Sequence, residues 1–247
     1  SMRIFLAGQG AREAYVAQLA RERGHQIAKT ADCDVAVLTL PRSHLPMGTE
    51  HWPAGQKIVC GLTDPSLEAM AEKKGWTLWR VLADEDYICR NAALSAEGAV
   101  YAAMHAADFA LGQAHCLVIG YGRIGQALTA MLRGLGARVT VAARRRESRE
   151  AAGEGSIDLP QLHEALPEMD VVFNTVPAPV LGRELLAWVR PHALLIELAS
   201  APYGIDGPAA REMGLRAWTE GGIPGRYCPQ SAAALLLDYV ERRWAHE

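Results

Sequence analysis

Cys116-Leu117-Val118-Ile119-Gly120-Tyr121-Gly122-Arg123-Ile124-Gly125 is a short apolar run followed by a glycine-rich turn. Four consecutive apolar residues suit a strand buried on both faces, as in a parallel sheet. The residues after the turn repeat with helical period as far as Gly134. A GxGxxG string alone is weak, and it gains meaning when it lies between a strand and a helix, as it does here. The first glycine makes the tight turn, the second lets backbone approach a pyrophosphate, and the third lets helix pack on strand. The helix start adds unpaired N–H groups and a partial positive charge. The plain structural alternative is a glycine turn without a ligand. The expected cofactor-binding residues are therefore Gly120, Gly122, Arg123, Ile124 and Gly125.

The end of the next strand addresses which dinucleotide is bound. NAD sites place Asp or Glu about 20 residues after the glycines to hold the ribose hydroxyls. Here the run is Val141-Ala142-Ala143-Arg144-Arg145-Arg146, with no carboxylate before Glu147. A guanidinium fork suits a phosphate, so Arg144 and Arg145 point to the 2′-phosphate of NADP, with NAD as the alternative. A solvated basic turn is the competing reading.

Outward from this unit, apolar runs alternate with amphipathic stretches, the pattern of an α/β chain with a largely parallel sheet. In the first part, strands are expected at Arg3–Ala7, Asp34–Leu40, Lys57–Leu62 and Thr77–Leu82. Helices are expected from Arg12 to Arg23 and from Pro65 to Gly75, the latter capped by Asp64. The stretch 42–56 reads as loop. An alanine-rich helix over Ser95–Leu111, with Ser95 as N-cap, connects two lobes, with a hinge near Gly112. Strands follow at 115–119, 138–143, near Ile157, 170–174, 193–198 and 215–218, with helices to Gly134, at 160–166 and at 182–189. A last helix starts near Pro229. The expected architecture is a C-terminal Rossmann domain with a smaller N-terminal α/β domain. The substrate-side domain spans 1–94 and the dinucleotide domain, with the connector helix, 95–228. The helix of 229–247 packs back on the first domain, and the cleft between lobes is the expected reaction site.

Composition narrows the class. The chain has 247 residues, between one and two domains at roughly 150 residues each. It is 50% hydrophobic and 21% charged, which excludes a disordered chain. With Lys plus Arg at 25 and Asp plus Glu at 28, the net charge is −3, no basis for a general nucleic-acid binder. No apolar run reaches the roughly 20 residues needed to cross a bilayer. Cys33, Cys60, Cys89, Cys116 and Cys228 show no zinc or redox spacing, and no histidine pair has metal-ligand spacing, so reduced thiols and no metal are expected. Ser1 before Met2 reads as a tag remnant, and no signal-peptide pattern follows, so a cytoplasmic location is expected.

Further polar clusters fall at predicted strand ends, where open α/β sheets bind ligands. They are Asn174-Thr175-Val176-Pro177, Glu197-Leu198-Ala199-Ser200 and Gly221-Gly222-Ile223-Pro224-Gly225-Arg226, with Gly8-Gln9-Gly10-Ala11-Arg12 in the first lobe. Asn174, Thr175, Val176, Pro177 and Glu197 join the cofactor set. The run Asn91–Gly98, the Gly120–Gly125 turn, Asn174–Pro177, Glu197–Ser200 and Ile223–Arg226 together resemble the dipicolinate synthase A family, in its order and over nearly the whole chain. The resemblance implies oxidation of a dihydrodipicolinate-type dicarboxylate to dipicolinate during sporulation. It also implies a partner, the flavoprotein-like second subunit of that synthase, and a C-terminal helix returning to the first lobe. A homo-oligomer is expected from the usual state of two-lobe dehydrogenases. The chain departs from the family in several places. The family's Gly-Gly-Asp-Ala-Arg is Gly8-Gln9-Gly10-Ala11-Arg12 here, its usual Thr is Ser95 and Ser231, and its Asp is Glu197. Its Ala-Pro-Lys-Thr-Ala-Gly is Cys228-Pro229-Gln230-Ser231-Ala232-Ala233, so two charges are lost, at Gly10 and Gln230.

Aromatising such a ring needs a hydride acceptor, a proton acceptor and cations for two carboxylates. Arg12 and Arg226 are the expected carboxylate partners. A helix start at Ser95 would add a hydroxyl and N–H groups, and Glu97 is the candidate proton acceptor. A carboxylate in a first helical turn also serves the dipole alone, and Arg12 reads equally as a solvated arginine. One rival is a D-2-hydroxyacid dehydrogenase, disfavoured because residues 216–244 hold no histidine for the acid–base role. A second is a non-catalytic NADP-binding subunit whose partner does the chemistry.

Overall fold

The computed structural model describes residues 1–247. The first series is β1 (Arg3–Leu6), α1 (Ala11–Glu22), β2 (Gln26–Ile27), β3 (Val35–Val37), β4 (Arg42–Ser43), β5 (Lys57–Cys60), β6 (Leu62–Thr63), α2 (Pro65–Lys74) and β7 (Thr77–Arg80). Its main sheet is parallel in the order β2-β1-β3-β5-β7. Buried Ala36, Leu38, Ile58, Cys60 and Leu67 pack there with Trp52 and Trp76, whose rings meet edge to face at 5.4 Å. Helix α2 follows its sequence signals: Asp64 accepts from Leu67 N at 2.7 Å, Pro65 opens the helix, and Gly75 closes it at φ 72°.

Three expectations need correction here. The strand expected over Asp34–Leu40 pairs only at Val35–Val37, and β2 was not anticipated. The stretch 42–56 is not all loop, because β4 pairs with β6 in a two-stranded parallel ladder. Ser43 anchors it, buried, donating to Thr39 O at 2.8 Å and accepting from Gly61 N at 2.9 Å. A two-residue strand is too short to show a period.

The connector helix α3 spans Glu85–Ala106, so it neither begins at Ser95 nor reaches Leu111. Its cap is Asp84, whose Oδ2 accepts from Tyr87 N at 2.8 Å, with Glu85 and Asp86 in the first turn. Ser95 lies in its interior and is buried, with Ala92, Ala96 and Ala99 buried on the same helix. Asn91, Ser95 and Gly98 lower intrinsic propensity, but burial of this small-residue face outweighs those small penalties.

The second series is β8 (His115–Ile119), α4 (Arg123–Gly134), β9 (Arg138–Ala142), α5 (Arg146–Ala152), α6 (Leu162–Ala165), β10 (Val171–Asn174), α7 (Arg183–Leu186), β11 (Leu194–Glu197), α8 (Gly207–Glu212) and β12 (Arg216–Thr219). All five strands run parallel in the order β12-β11-β10-β8-β9, with Phe173 paired to Val118 on one side and Ile196 on the other. Strands β8, β10 and β11 are buried on both faces, which explains their unbroken apolar runs. The strand expected near Ile157 is a single parallel bridge to Ala142. Strand order reverses between β8 and β10, the switch point where such sheets bind ligands at their carboxyl ends.

The chain closes with α9 (Ile223–Tyr227) and α10 (Pro229–Ala245). Helix α10 packs on α1 and buries Leu235, Leu236, Leu237, Tyr239 and Val240. Arg23 reaches Asp238 and Glu241, each at 2.8 Å, and Arg242 reaches Asp84 at 2.6 Å. Two compact units result, residues 1–91 with 224–247, and residues 92–223. The first division falls within α3, and α9 from Pro224 onward groups with α10. All five cysteines are free; Cys60 and Cys116 are buried, and burial pushes their thiols up to about 11 and about 12. No helix is long and apolar enough to cross a membrane.

Leu237, fully buried in α10, gives a direct test of how α10 is held. L237A should lose about 2–5 kcal/mol in a urea melt of the full chain, as expected for a core leucine. A second test uses His115, whose pKa is lowered by burial and then by Arg138, and whose Nε2 lies 2.8 Å from Thr140 Oγ1. Below the ordinary imidazole value, near pH 6.5, the unfolded chain binds more protons at this site. Stability should therefore fall as pH drops from about 7 to about 5, and H115N should flatten that dependence in thermal melts.

Candidate functional site

The glycine turn shows a separate reason for each glycine. Gly120 has φ 98°, where a side chain is strained, and a Cβ there would collide with Thr175 Oγ1. A Cβ on Gly125 would collide with the Gly120 carbonyl oxygen, so α4 packs against the turn only because Gly125 is bare. Gly122 is exposed, and a Cβ on it would meet no protein atom within 4 Å. The space beside it is open, as a pyrophosphate-binding turn requires. Gly122 is also the N-cap of α4, with no side chain capping the first N–H groups. Arg123 is exposed and Ile124 half-buried at this helix start.

Beyond β9 the chain turns through Ala143, Arg144 and Arg145 into α5, for which Arg145 is the N-cap. Gly120 N donates to Ala142 O at 2.8 Å, so this turn starts beside the glycine turn. Arg144 and Arg145 are exposed and in no ion pair, whereas Arg146 pairs with Glu150 at 2.8 Å. The sequence singled out these side chains but not Arg149, which folds back to donate to Ala143 O at 2.9 Å and Arg144 O at 2.6 Å. Its spacing, one helical turn after Arg145, was the available signal.

Asn174, Thr175, Val176, Pro177 and Glu197 lie at the ends of β10 and β11. Thr175 Oγ1 donates to Ile119 O at 2.7 Å, fastening the strand end to the glycine turn. Asn174 is fully buried: its Oδ1 accepts from Val176 N at 3.1 Å, and its Nδ2 donates to Val176 O at 2.9 Å and Glu197 Oε1 at 2.7 Å. Glu197, also buried, further accepts from Ala199 N (3.3 Å), Gly204 N (3.2 Å) and Ile205 N (2.8 Å). These two side chains therefore face protein groups and tie two strand-end loops together. Within the same set, Thr175 and Val176 are half-buried and Pro177 is exposed.

The structure divides the expected catalytic residues. In the first unit, Arg12 is half-buried in the first turn of α1 with its guanidinium against Gly225, where a Cβ would stand 2.7 Å from Nη2. Tyr87 lies near it: burial raises the pKa of the Tyr87 hydroxyl while the Arg12 charge pulls it down. Its Nε is buried without a partner. Arg226 is exposed and next in sequence to Gly225, and its guanidinium lies 5.0 Å from the Tyr227 ring centre. Arg12 and the chain leading to Arg226 thus meet. Tyr87 was missed because it carries no charge or motif of its own, and Gly225 was noted only as part of the run before Arg226. In the second unit, Ser95 is buried inside α3 rather than capping a helix start, while Glu97 is exposed. Residues two apart on a helix point to different faces, so Ser95 and Glu97 do not converge. No group of three or more His, Cys, Asp or Glu side chains could hold a metal ion.

The model of the D-isomer specific 2-hydroxyacid dehydrogenase NAD-binding domain matches residues 77–203. Dipicolinate synthase A of Bacillus subtilis is 27% identical over 210 residues, covering 83% of this chain and 69% of that protein. Glyoxylate reductase of Thermococcus gammatolerans is 33% identical over 113 residues, 44% of this chain and 32% of that protein. In fold, the chain is similar to the crystal structure of dipicolinate synthase A from Bacillus subtilis, at a TM-score of 0.87 and 22% identity. That match covers 99% of this chain and 96% of the other.

Two substitutions test the site's construction. G120A combines a strained φ with a collision at Thr175 and should abolish dinucleotide binding, measured by calorimetry. E197Q turns an amide NH2 toward N–H donors and should cost about 1–3 kcal/mol in thermal or urea melts while weakening dinucleotide binding. An unchanged melt and affinity would exclude the loop-tying role.

Proposed function

The chain belongs to the D-isomer specific 2-hydroxyacid dehydrogenase NAD-binding-domain family, and from that premise we propose that it is an NADP-dependent dehydrogenase acting on a dihydrodipicolinate-type dicarboxylate. The observation that carries the cofactor is the open Gly122 cradle at an uncapped helix start, beside a turn presenting two unpaired guanidinium groups. The residues fit a dinucleotide phosphate: Gly120, Gly122, Arg123, Ile124 and Gly125 hold the pyrophosphate, and Arg144 and Arg145 hold the 2′-phosphate. Thr175, Val176 and Pro177 line the neighbouring strand end, and Asn174 and Glu197 keep that end in place. When bound, the nicotinamide ring supplies the hydride acceptor.

The rest is done by the chain's own residues. Arg12 and Arg226 bind the two substrate carboxylates. The Arg12 guanidinium is half-buried against Gly225 and near Tyr87, which supports a binding role over a solvated one. The substrate ring loses a hydride and a proton to become the aromatic dicarboxylate. Glu97, the exposed member of the α3 pair, is the candidate proton acceptor, and Ser95 is a packing residue. The similarity to dipicolinate synthase A supports this substrate class. The reading includes a flavoprotein-like second component of the synthase as partner and sporulation as the setting. A cytoplasmic homo-oligomer is part of the same reading. A 2-hydroxyacid dehydrogenase is the second reading, favoured by the family match and the glyoxylate reductase similarity. The lack of any histidine over residues 216–244 weighs against it.

One assay separates these readings. The chain is mixed with NADP and freshly generated 4-hydroxy-tetrahydrodipicolinate, which yields the dihydro ring by losing water, with and without the flavoprotein-like partner, and NADPH formation is followed. Turnover by the chain alone supports the proposal, and turnover only with the partner points to a non-catalytic role for this chain. In a parallel assay, NADPH or NADH consumption with glyoxylate or hydroxypyruvate instead establishes the 2-hydroxyacid reading. R144A/R145A should weaken NADP binding by about tenfold or more, consistent with lost charge-assisted bonds, and leave NAD nearly untouched. Equal losses for both would exclude the 2′-phosphate assignment.

A further inference from the structure

The basic turn carries more arginines than a 2′-phosphate requires, and they are not equivalent. Arg144 and Arg145 are exposed and unpaired, and Arg146 pairs with Glu150 one turn along α5. Arg149 has only about a quarter of its side chain exposed and points back under the turn. Its Nη1 donates to the carbonyls of Ala143 and Arg144 and lies 3.5 Å from Asp158 Oδ1. The residue is itself held, because Ser156 Oγ donates to its carbonyl at 2.8 Å. The other side of the turn is fixed by Ala143 N donating to Ile157 O at 3.0 Å.

From these contacts we infer that Arg149 is a positioning residue for cofactor choice, deepening the NADP reading on which it rests. A carbonyl oxygen carries partial negative charge, and two loose carbonyls beside a phosphate would repel it. Arg149 turns both inward and satisfies them. It also neutralises Asp158, the carboxylate that borders the turn. The outward face then presents the guanidinium groups of Arg144 and Arg145 without a competing acceptor. Arg149 does this without touching the phosphate.

The test is equilibrium binding of NADPH and of NADH to the full chain, read from nicotinamide fluorescence, for wild type, R149A, R149K, R144A/R145A and R144A/R145A/R149A. Wild type binds NADPH more tightly than NADH. R149A weakens NADPH by about tenfold and NADH by less than about twofold, so the ratio collapses. In the R144A/R145A background, adding R149A changes the ratio no further, because the groups it positions are gone. If R149A fails to fold by circular dichroism, R149K decides. Its ammonium keeps the charge but lacks the planar fork, and the ratio should fall by about threefold. A ratio unchanged in the Arg149 variants overturns the inference, as does an equal loss for both dinucleotides. An additional loss in the triple variant overturns it too, since it would mean direct phosphate contact. Failure of the NADP reading shows separately, as a wild-type chain that does not prefer NADPH, and the inference falls with it.

Discussion

A space too small for a methyl group governs the carboxyl edge of the second sheet. Neither Gly120 nor Gly125 has room for a side chain: a Cβ on Gly120 would strike Thr175 of the next strand, and one on Gly125 would strike the Gly120 carbonyl. Because Thr175 donates to Ile119 O, the turn, the helix α4 and the end of β10 are one packed unit. Interiors are dense enough that a single added carbon must displace something. The exposed face of the turn at Gly122 stays open because its neighbours are packed so closely behind it. A rigid turn at a helix start needs little reorganisation to receive a phosphate.

A second layer of control lies beneath this edge. A carboxylate such as Glu197 is costly to bury unless its oxygens are satisfied. Asn174 and the amides of Ala199, Gly204 and Ile205 do that here. The same bonds fix the loops after β10 and β11, so charge satisfaction and loop placement are one arrangement. Arg149 repeats the principle at the end of β9, with the sign reversed: a cation satisfies carbonyls and thereby orients a turn. In both places, side chains that face inward determine what the exposed residues can offer a ligand.

How much was legible depended on the length scale of the signal. Strands β8, β10 and β11 are apolar runs buried on both faces, and α2 carries both a cap and a terminating glycine, so all four could be read directly. The two-residue strands β2 and β4 have no period to read. The start of α3 was misplaced because Asn91, Ser95 and Gly98 look like boundary residues, whereas Asp84 caps the helix earlier. Glu197 and Asn174 were found as residues but assigned to the cofactor side. Their inward orientation depends on amides contributed by other loops.

By itself, the sequence determined the parallel α/β class, the strand–turn–helix around Gly120, and the basic turn after β9. Each of these is written in adjacent residues, as a hydrophobic period, a glycine spacing or a charge run. Only the tertiary structure decided that Ser95 is interior to a helix, that Tyr87 and Gly225 meet Arg12, and that Arg149 serves the turn rather than solvent. Those facts rest on hydrogen bonds and close contacts between side chains and backbone groups brought together by folding. A hydrogen bond has a partner and a direction, and neither can be read from the identity of one residue.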